Sequence, residues 1–204
     1  MVLDTLQALD ASALNALRSL VDPDSAWQVA AIRAFSDAEV LLTTFVLVAF
    51  WIDARFFKGN DIEKKKDALT LFYAVTFAFL LYWALNFGLP VRPRPESVSA
   101  IAPILQHLPD NSFPSGHGIF AGASVTAAFL LFRKKTLAVH LFSIGVPMLC
   151  ARILAGVHYP GDVIVGFLLG SIFSAFVVRF LARSEVRKSP LFSYPIRIAG
   201  LVGL

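Results

Sequence analysis

Long apolar runs alternate with short polar segments along most of the chain, and this pattern predicts helices that cross a membrane. Five runs carry little or no charge and predict spans at 40–57, 68–91, 114–132, 136–151 and 162–178. Because a helix needs roughly 20 apolar residues to cross the hydrocarbon core, the second run is ample and the last two are short. Arg152 and Arg179, at the ends of these two runs, can extend them by reaching toward the interface.

The N-terminal segment follows a different pattern. Between residues 2 and 20, six leucines recur at near-helical spacing with charged residues such as Asp10 and Arg18 between them. This predicts an amphipathic helix lying on the membrane, and it lacks the basic start and continuous apolar core of a signal peptide. We therefore predict one domain in three parts: an amphipathic N-terminal segment (1–36), a transmembrane core (37–182) and a basic tail (183–204).

The composition agrees with an integral membrane protein. Of the 204 residues, 57% are hydrophobic and 16% are charged, which is far more apolar than a soluble domain. The mean hydropathy of +0.70 leads to the same conclusion. A single cysteine, Cys150, excludes an intrachain disulfide framework and a cysteine-based zinc site. The net charge of +4 comes from basic residues that flank the apolar runs, which suits an anionic membrane surface and not a nucleic acid.

Arginine, histidine, serine and aspartate gather in three short blocks where apolar runs end or begin. The blocks are 91–95, 113–117 and 151–162. Guanidinium groups in the first and third blocks can bind phosphate oxygens through paired hydrogen bonds. The Pro-Ser-Gly-His sequence of the second block suits a helix start, whose free N–H groups bind anions. His158 and Asp162 are four residues apart and can meet across a first helical turn, where a carboxylate would fix the imidazole tautomer.

The three blocks together resemble the signature of the type 2 phosphatidic acid phosphatase (PAP2) superfamily. That signature is Lys-x6-Arg-Pro, then Pro-Ser-Gly-His, then Ser-Arg-x5-His-x3-Asp. This chain reads Phe87-x6-Arg94-Pro95, Pro114-Ser115-Gly116-His117 and Ala151-Arg152-x5-His158-x3-Asp162. The likeness covers roughly residues 67 to 182, and it departs from the signature at Phe87 and Ala151. The segments 109–114 and 151–160 look most like the undecaprenyl-diphosphate phosphatase branch.

The resemblance implies an all-α integral membrane bundle of about five transmembrane helices plus the N-terminal amphipathic helix. It also implies roles for individual residues. His158 would attack phosphorus and form a phosphohistidine, Asp162 would orient His158, and His117 would act as general acid and then as general base. The phosphate ligands would be Arg94, Ser115, Gly116 and Arg152. Arg92 could supply some of the charge missing at Phe87, or act as an interface anchor. No metal or other cofactor is expected, because the arginines supply the positive charge.

The activity expected from the resemblance is hydrolysis of a lipid phosphate or diphosphate, with undecaprenyl diphosphate as the favoured substrate. Alternatives are a phosphatidylglycerophosphate or phosphatidic acid phosphatase, a lipid A phosphatase, and a phosphotransferase that passes the phosphoryl group to another lipid. A catalytically silent lipid-binding protein is supported only by Phe87 and Ala151, and the intact His117, His158 and Asp162 argue against it. Vanadate-dependent peroxidases share the motif set, but the apolar spans argue against a soluble enzyme of that kind.

The distribution of positive charge predicts the orientation in the membrane. Five spans place the three blocks on one face, and segments 52–66, 133–135 and 179–204 lie on the other, with 5, 3 and 5 of the 18 lysines and arginines. Since cytoplasmic loops are enriched in these residues, the blocks should face outward and the C-terminus should be cytoplasmic. The resemblance implies a bacterial inner membrane, and therefore a site on the periplasmic side. The sequence leaves the oligomeric state open.

Overall fold

A computed structural model describes residues 2–57, 61–98, 103–105, 111–132 and 135–201. These residues are mostly helical. The helices are α1 (Val2–Arg18), α2 (Ala26–Phe35), α3 (Ala38–Ile52), α4 (Ile62–Gly88), α5 (Pro95–Val98), α6 (Gly116–Leu131), α7 (Thr136–Leu154), α8 (Pro160–Leu181), α9 (Ser184–Arg187) and α10 (Pro190–Leu201). A π-helical turn at Asp53–Phe57 continues α3. Parts of the segments used above, namely residues 58–60, 109–110, 133–134 and 202–204, lie outside the described residues.

The predicted all-α membrane architecture is confirmed. Among the described residues, four helical segments are long and apolar enough to cross a membrane: Ala26–Phe56, Ile62–Gly88, Thr136–Leu154 and Pro160–Leu181. The fifth apolar helix, α6, has 16 residues and is about 24 Å long at 1.5 Å per residue. The first span begins earlier than the predicted residue 40, because α2 adds a further apolar helix before a short break at residues 36–37. The last two spans are longer than predicted, because their helices continue through Arg152 and Arg179.

The centre of the bundle is the parallel pair α6 and α8, which approach each other through glycines. A Cβ atom at Gly122 would lie 2.0 Å from the carbonyl oxygen of Phe167, and one at Gly170 would lie 2.0 Å from that of Ile119. Small residues at such positions let two helix backbones touch within a membrane. As a result the N-termini of both helices, each with its partial positive charge, lie at the same end of the bundle.

At the opposite end of the bundle, the C-terminal helices fold back onto α4. The Phe192 side chain is fully buried beside Leu71 and Leu181. A guanidinium nitrogen of Arg187 lies 2.8 Å from a carboxylate oxygen of Glu63, at the start of α4. The described part of the basic tail, up to residue 201, is therefore mostly helical and packs against α4.

The amphipathic helix predicted between residues 2 and 20 is observed as α1. Leu6 and Leu9 are exposed, whereas Leu14 is buried. The helix lies against the start of α8, where the backbone N–H of Gly161 donates a hydrogen bond to Asp10 Oδ1 at 2.8 Å. The polar side of α1 therefore contacts the end of the bundle that carries the three sequence blocks.

Candidate active site

Hydrogen bonds join the three sequence blocks at one end of the bundle. Arg94 Nη1, in the first block, donates to the carbonyl oxygen of Val157 in the third at 2.8 Å. The backbone N–H of Ser115, in the second block, donates to the carbonyl oxygen of Asp162 at 3.0 Å. The site is therefore built from the end of α4, the start of α6 and the connection between α7 and α8.

The imidazole of His158 is buried, and its surroundings fix its tautomer. Its Nδ1 lies 3.0 Å from the carbonyl oxygen of Ser112. A carbonyl oxygen only accepts, so Nδ1 carries the proton and Nε2 presents a lone pair. Nε2 in turn lies 3.3 Å from Arg94 Nη1. Burial, together with the positive charge of Arg94, lowers the pKa of His158 to about 4, against the opposing effect of the Asp162 carboxylate. His158 is therefore neutral at pH 7, as a nitrogen nucleophile must be.

The carboxylate of Asp162 reaches His158 through a third residue. Asp162 Oδ2 lies 3.8 Å from His158 Nδ1, which is too long for a hydrogen bond. This oxygen accepts instead from the Ser112 hydroxyl at 2.6 Å and from the Tyr159 N–H at 3.0 Å. Ser112 thus binds the carboxylate with its hydroxyl and the imidazole with its carbonyl oxygen. The direct contact expected from the four-residue spacing is replaced by this bridge, and sequence reasoning did not identify Ser112.

Arg92 lies beside Asp162 and is engaged with carboxylates. Its Nη1 lies 2.5 Å from Asp162 Oδ1, and its Nη2 lies 2.7 Å from Asp10 Oδ2. The guanidinium also stacks over the ring of Tyr159, 4.1 Å from the ring centroid. Asp10 belongs to α1, and the sequence predicts only that it lies on the polar face of an amphipathic helix. Its placement follows from how α1 docks, for which the local sequence carries no signal.

The start of α6 forms a cradle for an anion. Ser115 is the buried N-cap residue, and its Oγ accepts a hydrogen bond from the Gly118 N–H at 3.3 Å. Because a hydroxyl can accept and donate together, its hydrogen remains able to bind a ligand oxygen. Gly116 opens the helix, where backbone N–H groups lack carbonyl partners within the helix.

Two buried arginines lie close to this cradle. Arg94 and Arg152 are 3% and 5% exposed, and Arg152 Nε has no hydrogen-bond partner within the described part of the chain. Leaving a buried charged donor without a partner is costly, so this guanidinium fits a site that an anion completes. Both arginines and His117 interact electrostatically, which places all three around one small region.

His117 lies in the first turn of α6 and pairs with a residue outside the three blocks. Its Nε2 lies 2.9 Å from Oδ1 of Asp37, which is the residue before α3. The imidazole is partly exposed to solvent and the Asp37 side chain more so. Sequence reasoning did not identify Asp37, because it lies 80 residues away from His117 in the chain.

The residues at the two positions that depart from the family signature are Phe87, which points away from the site, and Ala151, which packs in an apolar cluster. Phe87 is 77% exposed and stacks on Trp83, with ring centroids 5.3 Å apart. The neighbouring Asn86 faces inward, and its Nδ2 donates to the carbonyl oxygen of Asn111 at 3.0 Å. Ala151 is buried in a small apolar cluster. The position of the family lysine therefore faces the surroundings of the bundle in this chain.

A groove of about 1180 Å³ adjoins the site on the side of α1. Arg92 and Tyr159 form its polar end, and Leu6, Val91 and Ile164 are among its apolar walls. The groove is open and continuous with exposed apolar surface of the bundle.

Comparisons with known proteins agree with the pattern of the blocks. The family model described as "PAP2 superfamily" matches residues 67–185. A lipid A 1-phosphatase from Rhizobium johnstonii is 32% identical over 164 residues, which cover 74% of this chain and 66% of that protein. The undecaprenyl-diphosphatase BcrC of Bacillus subtilis is 35% identical over 143 residues, which cover 70% of this chain and 66% of that protein. In both cases the match spans just under two thirds of the relative's length.

Two solved structures share the fold. The crystal structure of Aquifex aeolicus LpxE superposes with a TM-score of 0.66 at 24% identity and covers 84% of this chain and 95% of that one. A transmembrane PAP2 type phosphatidylglycerolphosphate phosphatase from Bacillus subtilis gives a TM-score of 0.68 at 22% identity and covers 91% of this chain and 89% of that one. At these identities the likeness concerns the fold alone.

Proposed function

The chain belongs to the PAP2 superfamily, and from this premise we propose that it is a membrane phosphatase that removes phosphate from a lipid phosphate or diphosphate. One observation carries the proposal. A buried, neutral imidazole, that of His158, presents its unprotonated Nε2 beside Arg94, with its Nδ1 proton held by a carbonyl oxygen. This arrangement is that of a nitrogen nucleophile directed at a phosphoryl group held by guanidinium.

In the first proposed step, Nε2 of His158 forms a bond to the terminal phosphorus while the bond from that phosphorus to the leaving oxygen breaks, and the leaving group is the lipid alcohol from a monophosphate or the lipid phosphate from a diphosphate. His117 gives its proton to that leaving oxygen. Arg94, Arg152, the Ser115 hydroxyl and the N–H groups at the start of α6 stabilise the charge on the phosphoryl oxygens. Because Nδ1 of His158 donates to Ser112, and Ser112 binds Asp162, the imidazole keeps its orientation as it becomes positively charged.

In the second proposed step, His117 takes a proton from water as the water oxygen bonds to phosphorus. The bond between phosphorus and Nε2 of His158 breaks, and inorganic phosphate leaves. His117 is partly exposed to solvent, so water can reach it without a rearrangement of the bundle.

Undecaprenyl diphosphate is the favoured substrate. The likeness to a relative named undecaprenyl-diphosphatase and the apolar groove beside Arg92 and Tyr159 support it. A lipid A 1-phosphate is the second candidate, because relatives named lipid A 1-phosphatase are similar over 74% of this chain. The excess of basic residues at the opposite end of the bundle supports a site on the periplasmic face of a bacterial inner membrane, with a cytoplasmic C-terminus.

The test is phosphate release by the purified protein in detergent with EDTA present. The substrates are undecaprenyl diphosphate, lipid A, phosphatidylglycerophosphate and phosphatidic acid, and the preferred lipid identifies the substrate. The variants are His158→Ala and the matched control His140→Ala, whose exposed side chain lies at the far end of α7. We expect release by wild type and by His140→Ala, and none by His158→Ala. Equal release by His158→Ala would exclude His158 as the nucleophile, and no release from any lipid by wild type would overturn the hydrolase proposal.

A further inference from the structure

We propose that Asp37 is a positioning residue for His117, and that the N-terminal part of the chain therefore completes the proton-transfer half of the site. The inference rests on the proposed function, because it assigns Asp37 to the general acid of that reaction. Asp37 lies outside residues 67–185, the segment that the family model matches. The contact itself is the 2.9 Å distance between His117 Nε2 and Asp37 Oδ1.

Although the Asp37 side chain is exposed, its backbone is held firmly in place. Two residues further on, the buried Glu39 accepts a hydrogen bond at 2.5 Å from Ser124, two turns below His117 on α6. Gly145 of α7 makes room for this carboxyl group, because a Cβ atom there would lie 2.7 Å from Glu39 Oε2. The start of α3 is thus attached to α6 at two levels, through Glu39 to Ser124 and through Asp37 to His117.

The charges around His117 explain what this contact contributes. Asp37, Arg152 and Arg94 are the charged groups that act on the imidazole. The two guanidinium groups disfavour its positive form, and that form is the one able to protonate a leaving group. The Asp37 carboxylate is the only one of the three that stabilises the imidazolium. It also holds Nε2–H, which leaves Nδ1 to exchange the proton with the leaving oxygen and then with water.

This role predicts a dependence on the leaving group. Hexadecyl phosphate requires a proton on its departing oxygen, whereas p-nitrophenyl phosphate releases a stable anion without one. In single-turnover measurements, Asp37→Asn should slow cleavage of hexadecyl phosphate on the order of 10- to 100-fold and change the p-nitrophenol burst by less than about threefold. The high-pH limb of kcat for hexadecyl phosphate should also move to lower pH. Asp24→Asn, an exposed aspartate of the same N-terminal segment, should match wild type in each measurement.

A second measurement tests the contact without turnover. Diethyl pyrocarbonate modifies the neutral imidazole, and mass spectrometry reports the rate at His117. Measured between pH 5 and 8, the midpoint of the pH profile of His117 modification should lie at lower pH in Asp37→Asn than in wild type and be unchanged in Asp24→Asn, with unchanged elution of both variants on size exclusion in detergent.

The outcomes separate this inference from the proposed function. Equal losses on both phosphate esters would mean that Asp37 only supports the fold, and no loss together with unchanged modification would overturn the inference. If wild type and His158→Ala were equally inactive on every ester, the proposed function would fail. The modification rate would still decide whether Asp37 acts on His117.

Discussion

Arg92 Nη1 lies 2.5 Å from Asp162 Oδ1, and Arg92 also lines the groove beside α1. The other terminal nitrogen of Arg92 binds Asp10, so one guanidinium joins the amphipathic helix α1 to the carboxylate behind the proposed nucleophile. A residue considered for phosphate binding is thereby placed as a support for Asp162. The docking of α1 against the bundle and the order of the site are therefore physically connected.

The first prediction follows from this contact. Arg92→Ala leaves one oxygen of the fully buried Asp162 carboxylate without its partner, and breaking a buried ion pair in this way costs about 3–5 kcal/mol. We expect a marked fall in the unfolding midpoint and a kcat for lipid phosphate lowered on the order of 100-fold. Asp10→Asn, which keeps a hydrogen-bond acceptor for Arg92, should cost less in both measurements. A variant Arg92→Ala with unchanged kcat and raised KM would instead assign Arg92 to substrate binding.

The second prediction concerns the pH dependence that His158 sets. Its pKa is about 4 in the folded protein and about 6.5 when unfolded, so its neutral form stabilises the fold fully above pH 6.5. This contribution is lost as the pH falls from 6.5 toward 4, because the unfolded chain binds the proton first. Thermal unfolding in detergent between pH 4 and 7.5 should show a weaker decline at low pH in His158→Gln than in wild type.

The same pKa predicts the acid limb of activity. Since His158 must be neutral to attack phosphorus, the loss of kcat/KM caused by this group should have its midpoint near pH 4 and not near 6.5. An acid limb near 6.5 that persists in His140→Ala and Asp37→Asn, and that does not follow the ionisation of the phosphate ester, would contradict the low pKa of His158.

The third prediction concerns the position where the family signature has a lysine. Phe87 points outward, so a lysine placed there by Phe87→Lys cannot approach Arg94 or His158. We expect activity within about twofold of wild type, because surface substitutions away from a site have small effects. A many-fold gain in kcat/KM would mean that the end of α4 rotates to present residue 87 to the substrate.

The fourth prediction tests the glycine contact that brings the helix N-termini together. Gly122→Ala would bring a methyl group against the backbone of Phe167, and overpacking of this kind costs about 1–3 kcal/mol or more. Activity and the unfolding midpoint should both fall, since α6 and α8 must separate. Gly200→Ala is the matched control, because outside its own helix backbone and chain neighbours no described atom lies within 4 Å of the added methyl group. Equal behaviour of the two variants would refute the close packing of α6 and α8.

Much of the architecture could be predicted from short segments of the sequence. The apolar runs predicted helices that cross a membrane, and the leucine spacing before residue 20 predicted the amphipathic helix observed as α1. The alternation of spans also predicted that the three blocks share one end of the bundle. These features could be predicted because the hydrophobicity, the charge and the helical spacing of residues are properties of short segments of the chain.

The partners of the site residues were decided only by the tertiary structure. Asp37 and His117 lie 80 residues apart and Asp10 and Arg92 lie 82 apart, so their contacts depend on how α1 and α3 dock against the bundle. The direction of Phe87 depends on the rotation of α4 about its axis. The bridge through Ser112 arises because the backbone before α6 lies beside both His158 and Asp162, so that one residue contacts the imidazole and the carboxylate. The sequence therefore determined which functional side chains are present, and the packing of the helices determined which of these side chains touch.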